Sequence, residues 1–341
     1  AKRDPDIETR LTVNEAWWGW GVSDPKTNVS EIVYRPIANP ATRVAALLSG
    51  ELDFVLDPPL QDLARIKATP GLKVEQVNQI RTIFFGVDTG VDKLRHTEVA
   101  GGNPFKNPKV REAMYRAIDI DTIRKKTMRG MSFPAGIITS PGVHGYTEAL
   151  DERLGYDVDA AKKLLAEAGY PNGLEFEAFT SQREDYRSMM LLVQEMLRKA
   201  NINMKLNIID HTTFHNDRKQ DKGLLMPYSK SHAPVPSQAL FGQFASSEIS
   251  RSDGSGGENH SHYGEDGNGI DDILDMVSKE ADLAKRNELT RKAELKILDD
   301  MPAFTLTTQS LITVLGPRVD LGFEVEAGYP QYVLNKARLK G

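Results

Sequence analysis

The chain has 341 residues, too many for one ordinary hydrophobic core, so two lobes are expected. Hydrophobic residues make up 40% and charged residues 27%, a globular balance, and a formal charge of -5 argues against a nucleic-acid binder. The chain contains no cysteine, which excludes thiol chemistry, disulfides and Cys-based zinc sites.

No apolar run approaches the ~18 residues of a membrane span. The opening AKRDPDIETR is polar and charged, with no signal-peptide pattern. Residues 29–37 read as a strand. NPATRVAALLSG then reads as a helix, with Asn39 as N-cap, Pro40 at the first position and Gly50 as the stop. LDFVL (52–56) suits a buried strand, 58–71 a helix closed by Pro-Gly, and 72–77 an alternating strand.

In 103–130, Asn107 caps and Pro108 opens a helix whose apolar face is Val110, Ala113, Met114, Ala117 and Ile118. Asp119 or Asp121 caps a second helix ending at Gly130. Its basic run, Arg124, Lys125, Lys126 and Arg129, suits a helix C-terminus better than a phosphate site. In 156–180, Asp157 or Asp159 caps a helix, Leu164, Leu165 and Ala168 pack, Gly169 stops it, and Leu174, Phe176 and Ala178 alternate as a strand. A helix over 184–200, with Met189, Leu192, Val193, Met196 and Leu197 inward, and the alternating NINMKLNII complete a parallel, right-handed βαβ unit. Residues 248–269 form a long Gly/Ser/Asp/His loop, expected to be functional or mobile. A helix over about 270–300 and the strand PAFTLTT (302–308) follow. No internal repeat is found.

Candidate chemistry is sparse. His211 and His215 are four residues apart, a metal-ligand spacing on a helix. Thr-Thr-Phe between them favours a turn or short extended piece, and no Glu follows the first His. His260 and His262 lie in the polar loop and are expected to be solvated. DGSGG fails the nucleophile-elbow spacing, no P-loop is present, and the scattered loop glycines are not a dinucleotide fingerprint. Trp17 and Trp18 of AWWGW are expected to anchor a core. No catalytic group and no cofactor site can be assembled.

Six passages, LTVNEAWWG, TRVAALLSGELDFV, NPFKNPKVREAMYRAIDIDTI, YDVDAAKKLLAEAGYPNG, NHSHYGEDGNGIDDIL and AKRNELTRKAELKILDDMPAFTL, run through most of the chain in one order. Together they resemble the extracellular solute-binding proteins of ABC importers, the large peptide/nickel-type family called family 5. The resemblance implies an α/β, periplasmic-binding-protein-like two-lobed fold (class II, large peptide-binding type) that closes like a hinge on its solute. It divides the chain into 1–80, part of lobe I; 81–305, lobe II; and 306–341, a return segment to lobe I. Family members begin with a long segment whose end matches the start of this chain, so the first lobe is expected to be incomplete. The strands at 29–37, 52–56 and 72–77 are then expected to lack sheet neighbours.

The same resemblance implies a periplasmic substrate-binding subunit, not an enzyme, that takes a peptide or related small solute to its ABC permease. Metal-chelate (nickel-type) and oligosaccharide or opine carriers are alternatives within the family, and an α/β hydrolase is the rival outside it. Ligand-binding roles fall on Arg81, Phe84, Phe85, Tyr228, Ser229, His232, Asn259 and Tyr263. Arg81 is suited to meet a carboxylate bidentately. Peptide-binding members carry Trp-x-x-Asp-Tyr-x-Asp-Pro where this chain has MPYSKSHAPVPSQALF (226–241). Tyr228 falls near that Trp, and Ser231 or His232 near the amine-anchoring Asp. No carboxylate remains, so the ligand end bound there is expected to be neutral or anionic.

Overall fold

The computed structural model of the chain describes all residues except 23–26, 96, 100, 225–226, 232–236, 326–335 and 341. The described elements are, in chain order, β1 (Lys2–Asp4), β2 (Glu8–Thr12), β3 (Glu31–Tyr34), α1 (Pro40–Leu48), β4 (Phe54–Leu56), α2 (Leu63–Lys67) and β5 (Lys73–Gly86). Then come α3 (Pro108–Arg116), α4 (Ile120–Thr122), β6 (Ser132–Pro134), α5 (Val158–Glu167), β7 (Leu174–Ser181), α6 (Glu184–Lys199), β8 (Ile202–Ile209) and α7 (His211–Lys219). Last are β9 (Tyr228–Ser231), α8 (Ser237–Phe244), α9 (Asp271–Lys279), α10 (Leu283–Asp300), β10 (Ala303–Leu315), β11 (Val319–Asp320) and β12 (Arg338–Leu339). They fall into two compact units, Ala1–Gln79 with Ser310–Gly341, and Ile80–Gln309. The chain passes from one to the other twice, within β5 and within β10.

In the first unit the expected unpaired strands have partners. β3 pairs with β2 (Thr9↔Tyr34 to Thr12↔Glu31), and β2 pairs with β1. β4 pairs with the end of β10 (Thr313↔Leu56). The charged N-terminal segment supplies the missing neighbour of β3, and the returning β10 that of β4; the polar residues of the N-terminal segment form a solvated hairpin, which an apolar period does not mark. Asn39 caps α1 by accepting from Thr42 N at 3.0 Å. Leu47, Val55, Ile66 and Val314 form a small core. Trp18, expected to anchor a core, is 77% exposed.

The second unit holds the larger core. Phe85, Phe105, Met114, Phe176, Val193 and Met204 belong to one buried cluster. β7 and β8 run parallel, in register from Leu174↔Ile202 to Ser181↔Ile209, with α6 as their crossover. Side chains alternate along β5, so Phe84 enters a second cluster with Ile138, Leu240, Phe244 and Tyr263 while Phe85 enters the first. Asn107, Asp119 and Asp157 are the caps, accepting from Lys109 N, Thr122 N and Ala160 N. The second helix expected after Asp119 is one α turn continued by a π turn over Ile123–Thr127. The single helix expected over about 270–300 is two, because Asp282 leaves helical geometry to cap α10 through Lys285 N at 2.9 Å.

The loop at 248–269 is built inward at 249–250 and 259–264, while 251–256 and 265–268 are exposed. Asn259 is 0% exposed; its amide donates to the Ala245 and Tyr263 carbonyls, both at 2.9 Å, and its Oδ1 accepts from Ser261 Oγ at 3.0 Å.

Phe176 packs edge-on to Phe105, with ring centroids 5.1 Å apart, beneath the βαβ unit. Phe176→Ala is expected to cost about 3–5 kcal/mol through transfer and cavity terms. Urea unfolding followed by far-UV circular dichroism checks this; a loss under about 1 kcal/mol would mean the site collapses freely.

Candidate functional site

The second unit gathers polar and aromatic side chains at the carboxyl ends of its two parallel strands. Both β7 and β8 end there, and α6 and α7 begin. Helix N-termini present N–H groups with no intrahelical partner, so strand ends of this kind are where open α/β sheets meet ligands. Asp210 satisfies part of α7 by accepting from Thr212 N at 2.8 Å and Thr213 N at 3.1 Å. The Thr213 N–H holds the Asp210 carboxyl below the usual carboxylate range. Ser181, the last residue of β7, is 0% exposed. Its Oγ accepts from Arg183 N at 3.1 Å and lies 2.8 Å from His211 Nδ1.

Tyr186 stands in the first turn of α6. Its ring meets Phe214 and His211 edge-on, at 6.2 and 6.5 Å between centroids, and the Arg183 guanidinium lies 5.1 Å from its centroid. Its hydroxyl is 3.2 Å from Ser229 Oγ on β9. Arg81 Nη1 donates to the same Ser229 Oγ at 3.4 Å. The antiparallel register brings this about: Arg81 lies opposite Ser231 and Ile83 opposite Ser229, so Arg81 and Ser229 are diagonal neighbours on β5 and β9.

Two of the eight residues implicated by resemblance, Arg81 and Ser229, therefore meet here. Tyr228 pairs with Phe84 through the β9 backbone, and His232 lies outside the described residues. The other four occupy the interior. Phe84 and Phe85 are each 1% exposed on opposite faces of β5, and Asn259 holds the loop. Tyr263, 6% exposed, donates its hydroxyl to Asp300. Burial, and then that carboxylate, push the Tyr263 phenol upward. A side chain enclosed in this unit's core has its surface already covered, and each of these four has that placement.

Ser181, Arg183, Tyr186, His211 and Phe214 were not singled out from sequence, except His211 as a metal candidate. HTTFH is a helix rather than a turn, because Asp210 caps it. His211 and His215 share one face, with centroids 4.6 Å apart. Burial, then Arg218, His211, Arg183 and Lys219, push the His215 imidazole below its ordinary value. Among the described residues, no group of three His, Cys, Asp or Glu side chains gathers as a metal site.

The loop histidines, expected to be solvated, are built in. His262 is 1% exposed, with Nδ1 3.0 Å from Asp88 Oδ2 and Nε2 3.2 Å from Asp221 Oδ2, and Arg95 pairs with the same Asp221. His260 Nδ1 is 2.6 Å from Ser250 Oγ. Burial, with Arg218 and His262, holds the His260 imidazole well below its ordinary value. Loop composition cannot distinguish polar groups satisfied internally from polar groups facing water.

Residues 1–250 match the family described as bacterial extracellular solute-binding proteins, family 5 Middle. The chain belongs to this family. Heme-binding protein A of Haemophilus influenzae is 28% identical over 200 residues, 59% of this chain and 31% of that protein. The glutathione-binding protein GsiB of Escherichia coli O1:K1 / APEC is 25% identical over 301 residues, 86% of this chain and 55% of the relative. This family-5 chain thus spans about a third to just over half the length of these relatives. The ABC transporter-associated periplasmic binding protein DppA from Helicobacter pylori, in complex with peptide STSA, superimposes with a TM-score of 0.81 at 23% identity. It covers 100% of this chain and 62% of DppA, and shows the shared α/β fold of two-lobed periplasmic binding proteins. Among the described residues, no helix is long and apolar enough to cross a membrane.

The two depressed imidazoles set a pH dependence. As pH falls through about 6.5, the unfolded chain takes up protons that native His215 and His260 resist, so stability falls toward acid. His215→Gln is expected to flatten part of that fall, measured as urea unfolding free energies at about pH 7 and about pH 5. An unchanged slope would mean that His215 titrates alike in both states.

Proposed function

We propose that this protein is the periplasmic substrate-binding subunit of an ABC importer, capturing a peptide or related small solute and delivering it to the membrane permease. The family match over residues 1–250 is the observation that carries this reading. The site chemistry supports a solute with an anionic or hydroxyl-bearing end. Arg81, Ser229 and Tyr186 offer a guanidinium and two hydroxyls within hydrogen-bond reach of one another. Glutathione, named for one relative, is an anionic peptide of this class.

The same geometry favours holding over conversion. Ser181 and His211 are in contact, but the Ser181 hydroxyl is enclosed and accepts the Arg183 N–H, which fixes the start of α6. An accessible nucleophile needs a base and an orienting group around an open position. A second reading, a metal-chelate carrier, draws on the paired rings of His211 and His215. A Ni²⁺ titration lost in His215→Ala would favour it over the peptide reading.

Arg81→Gln is expected to weaken binding of a solute bearing a free carboxylate by about 1.5–3 kcal/mol, the worth of a charged hydrogen bond. Binding of the same solute as its amide is expected to change little. Isothermal titration of both ligand forms checks this, and equal losses for both would remove Arg81 from the anion-binding role.

A further inference from the structure

The contact between Ser181 and His211 fixes where the imidazole carries its proton. Ser181 is 0% exposed, and its Oγ has two hydrogen-bond partners among the described residues, Arg183 N at 3.1 Å and His211 Nδ1 at 2.8 Å. A backbone N–H only donates, so Arg183 takes one lone pair of the oxygen. The hydroxyl proton then needs an acceptor, and of these two partners Nδ1 alone can be one. A neutral imidazole has its proton on one nitrogen and a lone pair on the other, so an accepting Nδ1 leaves the proton on Nε2. In the opposite tautomer Nδ1–H and the Arg183 N–H would both donate to Oγ. The serine proton would then be buried without an acceptor, which is costly.

The second nitrogen is open. His211 is partly exposed, and among the described residues no group hydrogen-bonds its Nε2, which is not enclosed. The adjacent carboxylate, Asp210, is engaged elsewhere: it accepts from Thr212 N, Thr213 N and, at 3.1 Å, Gln182 Nε2. The ring stands edge-on to Tyr186, whose hydroxyl is 3.2 Å from Ser229 Oγ.

We propose that Ser181 holds His211 as its Nε2–H tautomer, and that His211 thereby adds to the solute site a hydrogen-bond donor that selects a carbonyl or carboxylate oxygen. The donor role rests on the solute-binding reading above; the tautomer does not. His211 is a contact residue, and Ser181 is a positioning residue that acts through it. The assignment weighs against a metal on His211. A metal at Nε2 needs the lone pair there, which sends the proton to Nδ1 against the serine hydroxyl.

Two measurements test this. The first is long-range proton–nitrogen NMR of the isotope-labelled protein at about pH 8, where imidazoles are ordinarily neutral. The His211 ring is assigned by its loss in His211→Gln. The expected result is a single tautomer with Nδ1 unprotonated, a mixture of tautomers in Ser181→Ala, and a single tautomer again in Ser181→Thr, which keeps the hydroxyl. A protonated Nδ1 in the wild-type protein, or a tautomer that Ser181→Ala leaves unmoved, would overturn the proposal. The wild-type spectrum decides the tautomer even if a variant fails to fold. The second is calorimetric titration of glutathione into the protein and into His211→Phe, which keeps an aromatic ring and loses the donor. His211→Phe is expected to bind about tenfold more weakly. Equal affinity would overturn the donor role and leave the solute-binding reading standing. No saturable glutathione binding by the wild-type protein would remove the donor role and the anionic-peptide reading together.

Discussion

The parallel register of β7 on β8 is the constraint on which the second unit depends. Eight residue pairs in step bring Ser181 and Ile209 to the same level, so that both following helices start together. Had β8 slipped by one residue, its inward and outward side chains would exchange faces, and Ile202 and Met204 would leave the core. The register is held by packing on one face, where Phe176, Ala178, Met204 and the inward side of α6 share a cluster. From it follow the place of Tyr186 in the first turn of α6 and of His211 and Phe214 in α7. The hydroxyl and aromatic groups of the candidate site are thus a consequence of core packing.

The site also draws on a second strand pairing. β9 contributes only four residues, yet its antiparallel register on β5 brings Ser229 beside Arg81 and Tyr186. Rigid elements supply the aromatic support, while the short edge strand supplies one hydroxyl. Electrostatics at this end lean positive: Arg81 and Arg183 stand near the start of α6, whose exposed N–H groups favour negative charge. The carboxylates present have defined duties, Asp210 on the backbone of α7 and Asp185 on the Arg183 guanidinium.

Legibility from sequence followed local physics. The βαβ unit over 174–209 was readable because its strands alternate, its helix has a 3.6-residue apolar stripe, and Asp157 and Gly169 punctuate the helix before it. The order of the family passages was specific enough to name the family, which the match over residues 1–250 bears out. α7 was missed because Thr-Thr-Phe has poor helix propensity, and Asp210 acts as a cap only once β8 ends at Ile209. The expectation of solvated histidines in the loop at 248–269 fails because His262 finds its partners, Asp88 and Asp221, within the fold. Of the candidate site, Arg81 and Ser229 were reachable by resemblance. Ser181, Arg183 and Tyr186 carry a usable signal, a strand end followed at once by a helix start, which no catalytic motif marks. Phe84 and Phe85 show the converse: adjacent aromatic residues on one strand point to opposite faces and entered two cores.

The central claim is that the protein holds a solute without changing it. Native mass spectrometry of the protein saturated with a tightly bound solute, followed by denaturation and mass analysis of what is released, tests this most directly. The account predicts a noncovalent complex that releases the solute at its original mass after prolonged incubation. A released product of altered mass, or a covalent adduct abolished by Ser181→Ala, would contradict it.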